Sequence, residues 1–296
     1  MKQIGIIGLG RMGYNMAERL LQRQITVVAY NRNQDKVKQI AKKGAKPASS
    51  VENLVHQLKG QKKIWLMLPA GKVTDDMIKE LLPLMKRGDI LVDGANDFYG
   101  NAQRHAVLCA KKGIHFFDAG VSGGIWGLKN GYTLMIGGPK NQFKILEPFC
   151  RALAAKDAYG YFGPAGSGHF VKSVHNIVEY VYLQGIAEGV ELLNGFKTPI
   201  DIKQAVKVWG PASVVRSWLV DLTSLALNRP DFKNIGTGIG SVTIGELRQT
   251  VKAVKGFAPA FKVATEIRED KSKKFKLGKR TIAAVRREFG GHQVSK

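Results

Sequence analysis

The chain has 296 residues, of which 44% are hydrophobic and 23% charged, and it carries a formal net charge of +23. Those proportions exclude a disordered or fibrous chain and leave room for two domains with a sizeable core. No run approaches the roughly 18 apolar residues of a membrane span, and Cys109 and Cys150 are too few for a disulfide framework, as suits inert thiols in a reducing cytoplasm. Lys2-Gln3 leads straight into an apolar strand pattern, so no secretory leader is expected. The positive charge is spread over both halves and comes without a zinc-finger or RNA-binding signature. It therefore points to small anionic substrates rather than nucleic acid.

In chain order, Ile4–Ile7 reads as a strand, Met12–Gln22 as a helix, Thr26–Tyr30 as a strand and Gln34–Lys43 as a helix. Further strands are expected at Lys63–Leu68, Ile90–Asp93, His115–Asp118 and Thr133–Gly137, with helices between the earlier ones. Short apolar strands alternating with helices imply an α/β fold, a doubly wound parallel sheet covered on both faces. After about Gly163 the pattern changes to long helical segments. The expected organisation is a Rossmann-like dinucleotide-binding domain over residues 1–164 and an all-helical substrate and dimerisation domain over residues 165–296. Gly236-Thr-Gly-Ile-Gly240 reads as a loop between helices.

Gly8-Leu9-Gly10-Arg11-Met12-Gly13 follows the first strand and opens a helix, the context a dinucleotide fingerprint requires. The first glycine permits the turn, the second lets backbone approach the pyrophosphate, and the third lets helix pack on strand. The second strand ends in Asn31-Arg32-Asn33, with no acidic residue to accept from the ribose hydroxyl of NAD. Arg32 can pair with a 2′-phosphate, so NADP is favoured over NAD. Candidate cofactor contacts are Gly8, Gly10, Arg11, Met12, Gly13, Asn31, Arg32, Asn33, Leu68 and Asn96.

Asp93-Gly-Ala-Asn96 and Gly120-Val-Ser122-Gly123-Gly124 end two strands of the expected parallel sheet, where ligands of such sheets collect. The helix beginning near Gly166 carries Lys172, His175, Asn176 and Glu179. At about 3.6 residues per turn these four share one stripe. The neighbouring Val174, Ile177, Val178 and Val181 predict a largely buried helix. A lysine and a glutamate on one stripe suit proton transfer in both directions, although an internal ion pair would present the same pattern.

The fingerprint, the Ser-Gly-Gly loop, the Lys172 to Tyr180 helix and the terminal Arg286-Arg-Glu-Phe-Gly-Gly-His292 together resemble the decarboxylating 6-phosphogluconate dehydrogenases, in their short bacterial form. The resemblance implies that Lys172 removes the proton of the 3-hydroxyl while hydride leaves C3, and that Glu179 protonates C1 of the enediol left after carbon dioxide departs. No metal is implied, because the new ketone is the electron sink. Asn96, Ser122, Gly123, Gly124, His175, Asn176, Tyr180 and Arg268 fall on positions that this family uses around the sugar acid. Arg286 and His292 resemble tail residues that reach the substrate of a neighbouring subunit, which implies a homodimer with shared sites, or a higher assembly built on it. The chain departs from the pattern at Gly236-Thr-Gly-Ile-Gly-Ser-Val-Thr243, where the family carries a cation, and at Ala95, where it carries glycine.

Two other functions fit parts of the sequence. A β-hydroxyacid dehydrogenase acting on a small acid without decarboxylation would share the fingerprint, the glycine loop and the lysine, but such enzymes lack the Glu179-Tyr180 pair and the Gly-Gly-His tail. A non-catalytic nucleic-acid binder on the same fold would have no use for Lys172.

Overall fold

The computed structural model describes residues 2–239, 244–270, 272, 274–291 and 293–294. The chain divides into two compact units, Met1–Ser173 and Val174–Lys296.

In the first unit, strand β1 (Gln3–Ile7) leads into helix α1 (Arg11–Gln22), followed by β2 (Thr26–Tyr30), α2 (Gln34–Ala41), β3 (Lys46–Pro47) and α3 (Val51–Gln57). Then come β4 (Lys63–Leu66), α4 (Lys72–Leu81), β5 (Ile90–Asp93), α5 (Tyr99–Ala110), β6 (His115–Ser122), α6 (Gly127–Asn130), β7 (Tyr132–Gly137), α7 (Lys140–Leu153) and β8 (Ala154–Gly163). The strands form one eight-stranded sheet in the order β3-β2-β1-β4-β5-β6-β7-β8. The strand order reverses between β1 and β4, where a doubly wound sheet opens its ligand crevice. Pairing is parallel from β3 through β6, but β6 and β7 run antiparallel and β8 is parallel to β7.

The alternation of side chains along each strand sorts the core into two layers. Ile4, Ile6, Val27 and Ala29 join Met16 and Leu20 of α1 and Leu146 and Phe149 of α7 on one face. Ile7, Val28, Ile64 and Leu66 meet Leu54 of α3, Ile78 of α4 and Cys109 of α5 on the other. On that second face a Cβ at Gly5 would stand 2.8 Å from Leu54 Cδ2, so the glycine leaves the room that the leucine fills. Arg19 of α1 is buried and donates to the carbonyls of Leu128, Leu153 and Ala154, tying α6 and the α7–β8 junction to the first helix.

Helix α8 (Ser167–Asn194) runs across the division between the units. In the second unit it is followed by α9 (Ile202–Val208), α10 (Trp218–Leu227), α11 (Ile244–Ala253), α12 (Pro259–Glu269) and α13 (Lys276–Gly290). The regular elements described here are helices, as the sequence pattern implies. Asp201 and Ser217 cap α9 and α10 by accepting from the amides of Gln204 and Val220, and Pro259 opens α12 where its missing N–H costs nothing. Leu183 and Val190 of α8, Val206 of α9, Val220 of α10 and Ile282 of α13 form one core. Glu191 of α8 accepts from the amide of Gly278 at 2.6 Å, and Glu288 of α13 takes both guanidinium contacts of Arg229, at 2.8 and 3.2 Å.

One expectation about α8 is corrected. Val174 and Val178 are 41% and 58% exposed, so the helix has an apolar face open on this chain rather than being buried all round.

Candidate active site

The first turn after β1 shows the three glycine roles separately. Gly8 has φ +98°, and a Cβ there would lie 2.3 Å from the carbonyl oxygen of Met67. A Cβ on Gly13 would lie 2.0 Å from the carbonyl oxygen of Gly8, so α1 packs on the turn at backbone distance. At Gly10 a Cβ would meet nothing within 4 Å, and the residue is exposed. A pyrophosphate needs that open backbone at the start of a helix, with its unpaired N–H groups and positive dipole end, so the residues present fit a dinucleotide.

At the end of β2, Asn31 Oδ1 accepts from the amide of Leu9 at 2.9 Å and its Nδ2 donates to the carbonyl of Asn33 at 3.1 Å. Asn33 Oδ1 in turn caps α2, accepting from Asp35 N. Two of the three candidate residues therefore fix the turn, and Arg32 stands exposed between them. Arg11 is exposed, and Met12 and Leu68 are partly buried beside the glycine loop. In the β5–α5 connection, Asp93 Oδ1 accepts from Ala95 N at 2.9 Å and shapes the turn into Asn96. Ala95 is not among the residues of positive φ, so alanine is accommodated there without backbone strain.

Lys172 is brought to the sheet by close backbone packing. A Cβ on Gly120 of β6 would stand 2.4 Å from Cβ of Lys172 and 3.0 Å from the carbonyl oxygen of Gly168. A Cβ on Gly168 would stand 2.4 Å from the carbonyl oxygen of Met135 and 2.6 Å from that of Asp118. The first turn of α8 thus lies directly on β6 and β7, and Lys172 is 8% exposed. Asp118, fully buried, caps that turn with both oxygens, accepting from Gly166 N and His169 N at 2.7 Å each. A carboxylate at a helix N-terminus is favoured by the dipole and by the otherwise unpaired amides. His169 Nε2 donates to the carbonyl of Asp93 at 3.2 Å, which links the Asn96 turn to the start of the same helix. Ser122 is the last residue of β6 rather than part of a following loop, and Gly123 and Gly124 follow with φ of +122° and +55°.

The sequence reading gives Asp118 and His169 no role. Asp118 meets its partners 48 and 51 residues along the chain, a distance no local pattern reports.

The second unit gathers a different group. His175 Nδ1 lies 3.1 Å from Asn176 Oδ1, and Asn176 and Tyr180 are buried at 8% and 3% exposure. The guanidinium carbon of Arg268, on α12, stands 3.6 Å from the centroid of the Tyr180 ring, which also meets Phe261 edge-on. Arg268 is 6% exposed, and Nε, Nη1 and Nη2 are all buried without a hydrogen-bond partner among the described residues. Burial pulls this guanidinium down to about 10, and Arg286 of α13 pushes the same way, against Tyr180 and Glu179. Tyr180, Glu179 and Arg286 are therefore each within electrostatic reach of Arg268. His292 lies outside the described residues, as do 240–243 of the glycine-rich loop.

Residues 3–163 match the family described as the NAD binding domain of 6-phosphogluconate dehydrogenase. A Bacillus subtilis relative, which carries the name 6-phosphogluconate dehydrogenase provisionally, is 33% identical over 99% of this chain and 99% of its own length. The NAD(+)-dependent, decarboxylating 6-phosphogluconate dehydrogenase of Haloferax volcanii is 39% identical over 81% of this chain and 78% of its own. Among solved structures, Plasmodium falciparum 6-phosphogluconate dehydrogenase, studied with its cofactor NADP+ and its substrate 6-phosphogluconate, aligns with TM-score 0.81 at 26% identity. That alignment covers 90% of this chain but 61% of the Plasmodium chain. A Mycobacterium tuberculosis 3-hydroxyisobutyrate dehydrogenase aligns with TM-score 0.78 over 97% of this chain and 99% of its own, at 21% identity, which bears on fold alone.

Proposed function

The chain belongs to the 6-phosphogluconate dehydrogenase and β-hydroxyacid dehydrogenase family, and from that premise we propose that it catalyses the NADP-linked oxidative decarboxylation of 6-phosphogluconate to ribulose 5-phosphate and carbon dioxide. As an oxidoreductase of this family it uses a nicotinamide cofactor, and the open Gly10 backbone and exposed Arg32 support NADP in particular.

The observation that carries the reading is Arg268. A buried cation whose three nitrogens have no hydrogen-bond partner among the described residues is costly unless an anion completes it, and Tyr180 holds the guanidinium carbon 3.6 Å from its ring centroid. A phosphate has the charge and the oxygen geometry for that guanidinium, and Arg286 nearby adds a second cation. A small unphosphorylated hydroxy acid offers only its single carboxylate, with one charge against the nearly two of a phosphate and no second anionic group for the reacting end of the site.

When bound, the nicotinamide accepts hydride from C3. In the proposed mechanism Lys172, in its neutral form, takes the proton of the 3-hydroxyl as that hydride leaves. The resulting ammonium then donates to the C3 oxygen while the C1–C2 bond breaks, its electron pair flowing into the ketone as carbon dioxide departs. Glu179 delivers a proton to the carbon that lost carbon dioxide, C1 of the enediol, while the lysine takes the C2 hydroxyl proton as the ketone forms, and passage of that proton from the lysine ammonium to the glutamate returns both groups to their starting forms. Asn96, Ser122 and Asn176 serve as polar contacts that hold the sugar acid, and the turn that carries Asn96 also contacts the cofactor. A homodimer is part of the proposal. The exposed Val174 and Val178 of α8, with Leu192, Phe196 and Phe257 exposed elsewhere in the second unit, give a second copy an apolar surface to cover.

An assay with a substrate panel tests the reading. Reduction of NADP should be fast with 6-phosphogluconate and at least about a hundredfold slower in kcat/KM with gluconate, the penalty for leaving a buried charged site unpaired. Equal rates with gluconate or 3-hydroxyisobutyrate would move the chain to the simpler hydroxyacid dehydrogenases.

A further inference from the structure

His105 of α5 is 1% exposed, and it lies between two carboxylates from different elements. Its Nε2 is 2.6 Å from Asp75 Oδ1, in the first turn of α4, and its Nδ1 is 3.8 Å from Asp93 Oδ2, at the end of β5. Arg104 binds both oxygens of Asp75 at 3.0 and 3.1 Å, Lys72 acts on Asp75 from the same first turn, and the uncharged ring of Phe116 of β6 packs T-shaped with His105. Two carboxylates facing one imidazole favour its cation. Burial alone would lower the histidine, but Asp93 and Asp75 outweigh it and hold it above its ordinary value.

The two carboxylates lead to the two connections that leave neighbouring parallel strands. Asp75 opens α4 after the 67–71 connection, which Thr74 Oγ1 ties down by donating to the Pro69 carbonyl at 2.8 Å. Asp93 holds Ala95 N through its other oxygen and holds His169 through its carbonyl. Packing alone would not require this arrangement, since an apolar side chain against Phe116 would fill the same space without burying a charge.

We propose that His105 is a positioning residue: as an imidazolium between Asp75 and Asp93 it locks the 67–71 and 94–98 connections together and so sets the turn that carries Asn96. That this turn serves cofactor binding rests on the function proposed above; the lock itself does not. The sign of the pH effect follows from the raised histidine. The lock is complete at low pH and is lost as pH rises through the folded-state value, which lies above the ordinary 6.5.

The test compares the wild-type chain with His105→Gln and Asp75→Asn by amide hydrogen-exchange protection of residues 94–98 and by NADP affinity, both at pH 6 and pH 9. Affinity is measured in a Lys172→Met background, so that the lysine does not titrate. Wild type should lose about tenfold in protection and in affinity between the two pH values, the worth of one charge-assisted hydrogen bond. His105→Gln should be weak at both and lack the pH step. Asp75→Asn, at a partly exposed position, should show the same loss in smaller measure and carries the test if His105→Gln does not fold. Unchanged protection at 94–98 in a folded variant, or lower thermal stability with the pH step intact, overturns the proposal. Lost protection in a protein whose wild type binds neither NADP nor NAD would leave the lock standing and remove the cofactor reading instead.

Discussion

Asp118 and Arg268 are both buried charges, one in each compact unit, and their surroundings differ in kind. Both oxygens of Asp118 accept backbone amides at 2.7 Å, so its charge is consumed in holding the first turn of α8 on the sheet. None of the three nitrogens of Arg268 has a hydrogen-bond partner among the described residues, and its guanidinium lies over the ring of Tyr180. A charge whose partners are all internal serves the fold, whereas a buried charge without them costs stability and is suited to a ligand. The comparison predicts opposite responses when each charge is removed.

The largest effect tests what Asp118 holds in place. Lys172→Met should lower kcat about a thousandfold, the usual worth of a general base, with NADP binding retained. Turnover within tenfold of wild type would remove Lys172 from the chemistry. Asp118→Asn keeps one acceptor and turns the other oxygen into a donor facing an amide. It should cost about 3 kcal/mol in urea denaturation, and a loss under 1 kcal/mol would show that the cap is dispensable.

Arg268→Met should behave in the other direction. Stability should hold or rise by about 1 kcal/mol, because an unpartnered buried cation is gone. KM for 6-phosphogluconate should rise about thirtyfold, with kcat little changed and KM for gluconate unaffected. A clear drop in melting temperature would mean that Arg268 is structural after all. The smallest effect concerns the cofactor. Arg32→Gln should weaken NADP about tenfold and leave NAD where it was, as loss of one exposed arginine–phosphate pair allows, and equal effects on both cofactors would take Arg32 away from the 2′-phosphate.

The first unit was largely legible in the sequence because its signals are local. Short apolar strands between helices announce the sheet, and Gly8, Gly10 and Gly13 announce the turn after β1. Three features were hidden. β3 is two residues long, and β8, with Lys156 and Asp157 exposed within it, lacks the apolar run that marks a strand. The antiparallel β6–β7 pair could not be read because periodicity carries no direction. Around the site, Lys172, Glu179 and Tyr180 are visible as one helical pattern, while Asp118, His169 and His105 depend on contacts 12 to 76 residues apart. Arg268 belongs to neither case. Its residue type was visible, but its stacking on Tyr180 and its unpartnered nitrogens come from packing that no window of sequence reports.

The most direct test of oxidative decarboxylation is the molar ratio of carbon dioxide to NADPH, measured in one reaction with 6-phosphogluconate labelled at C1. The proposed roles of Lys172 and Glu179 predict one labelled carbon dioxide per NADPH, with ribulose 5-phosphate as the sugar product. NADPH formed without labelled carbon dioxide would contradict the proposal and leave a dehydrogenase that stops at the keto acid.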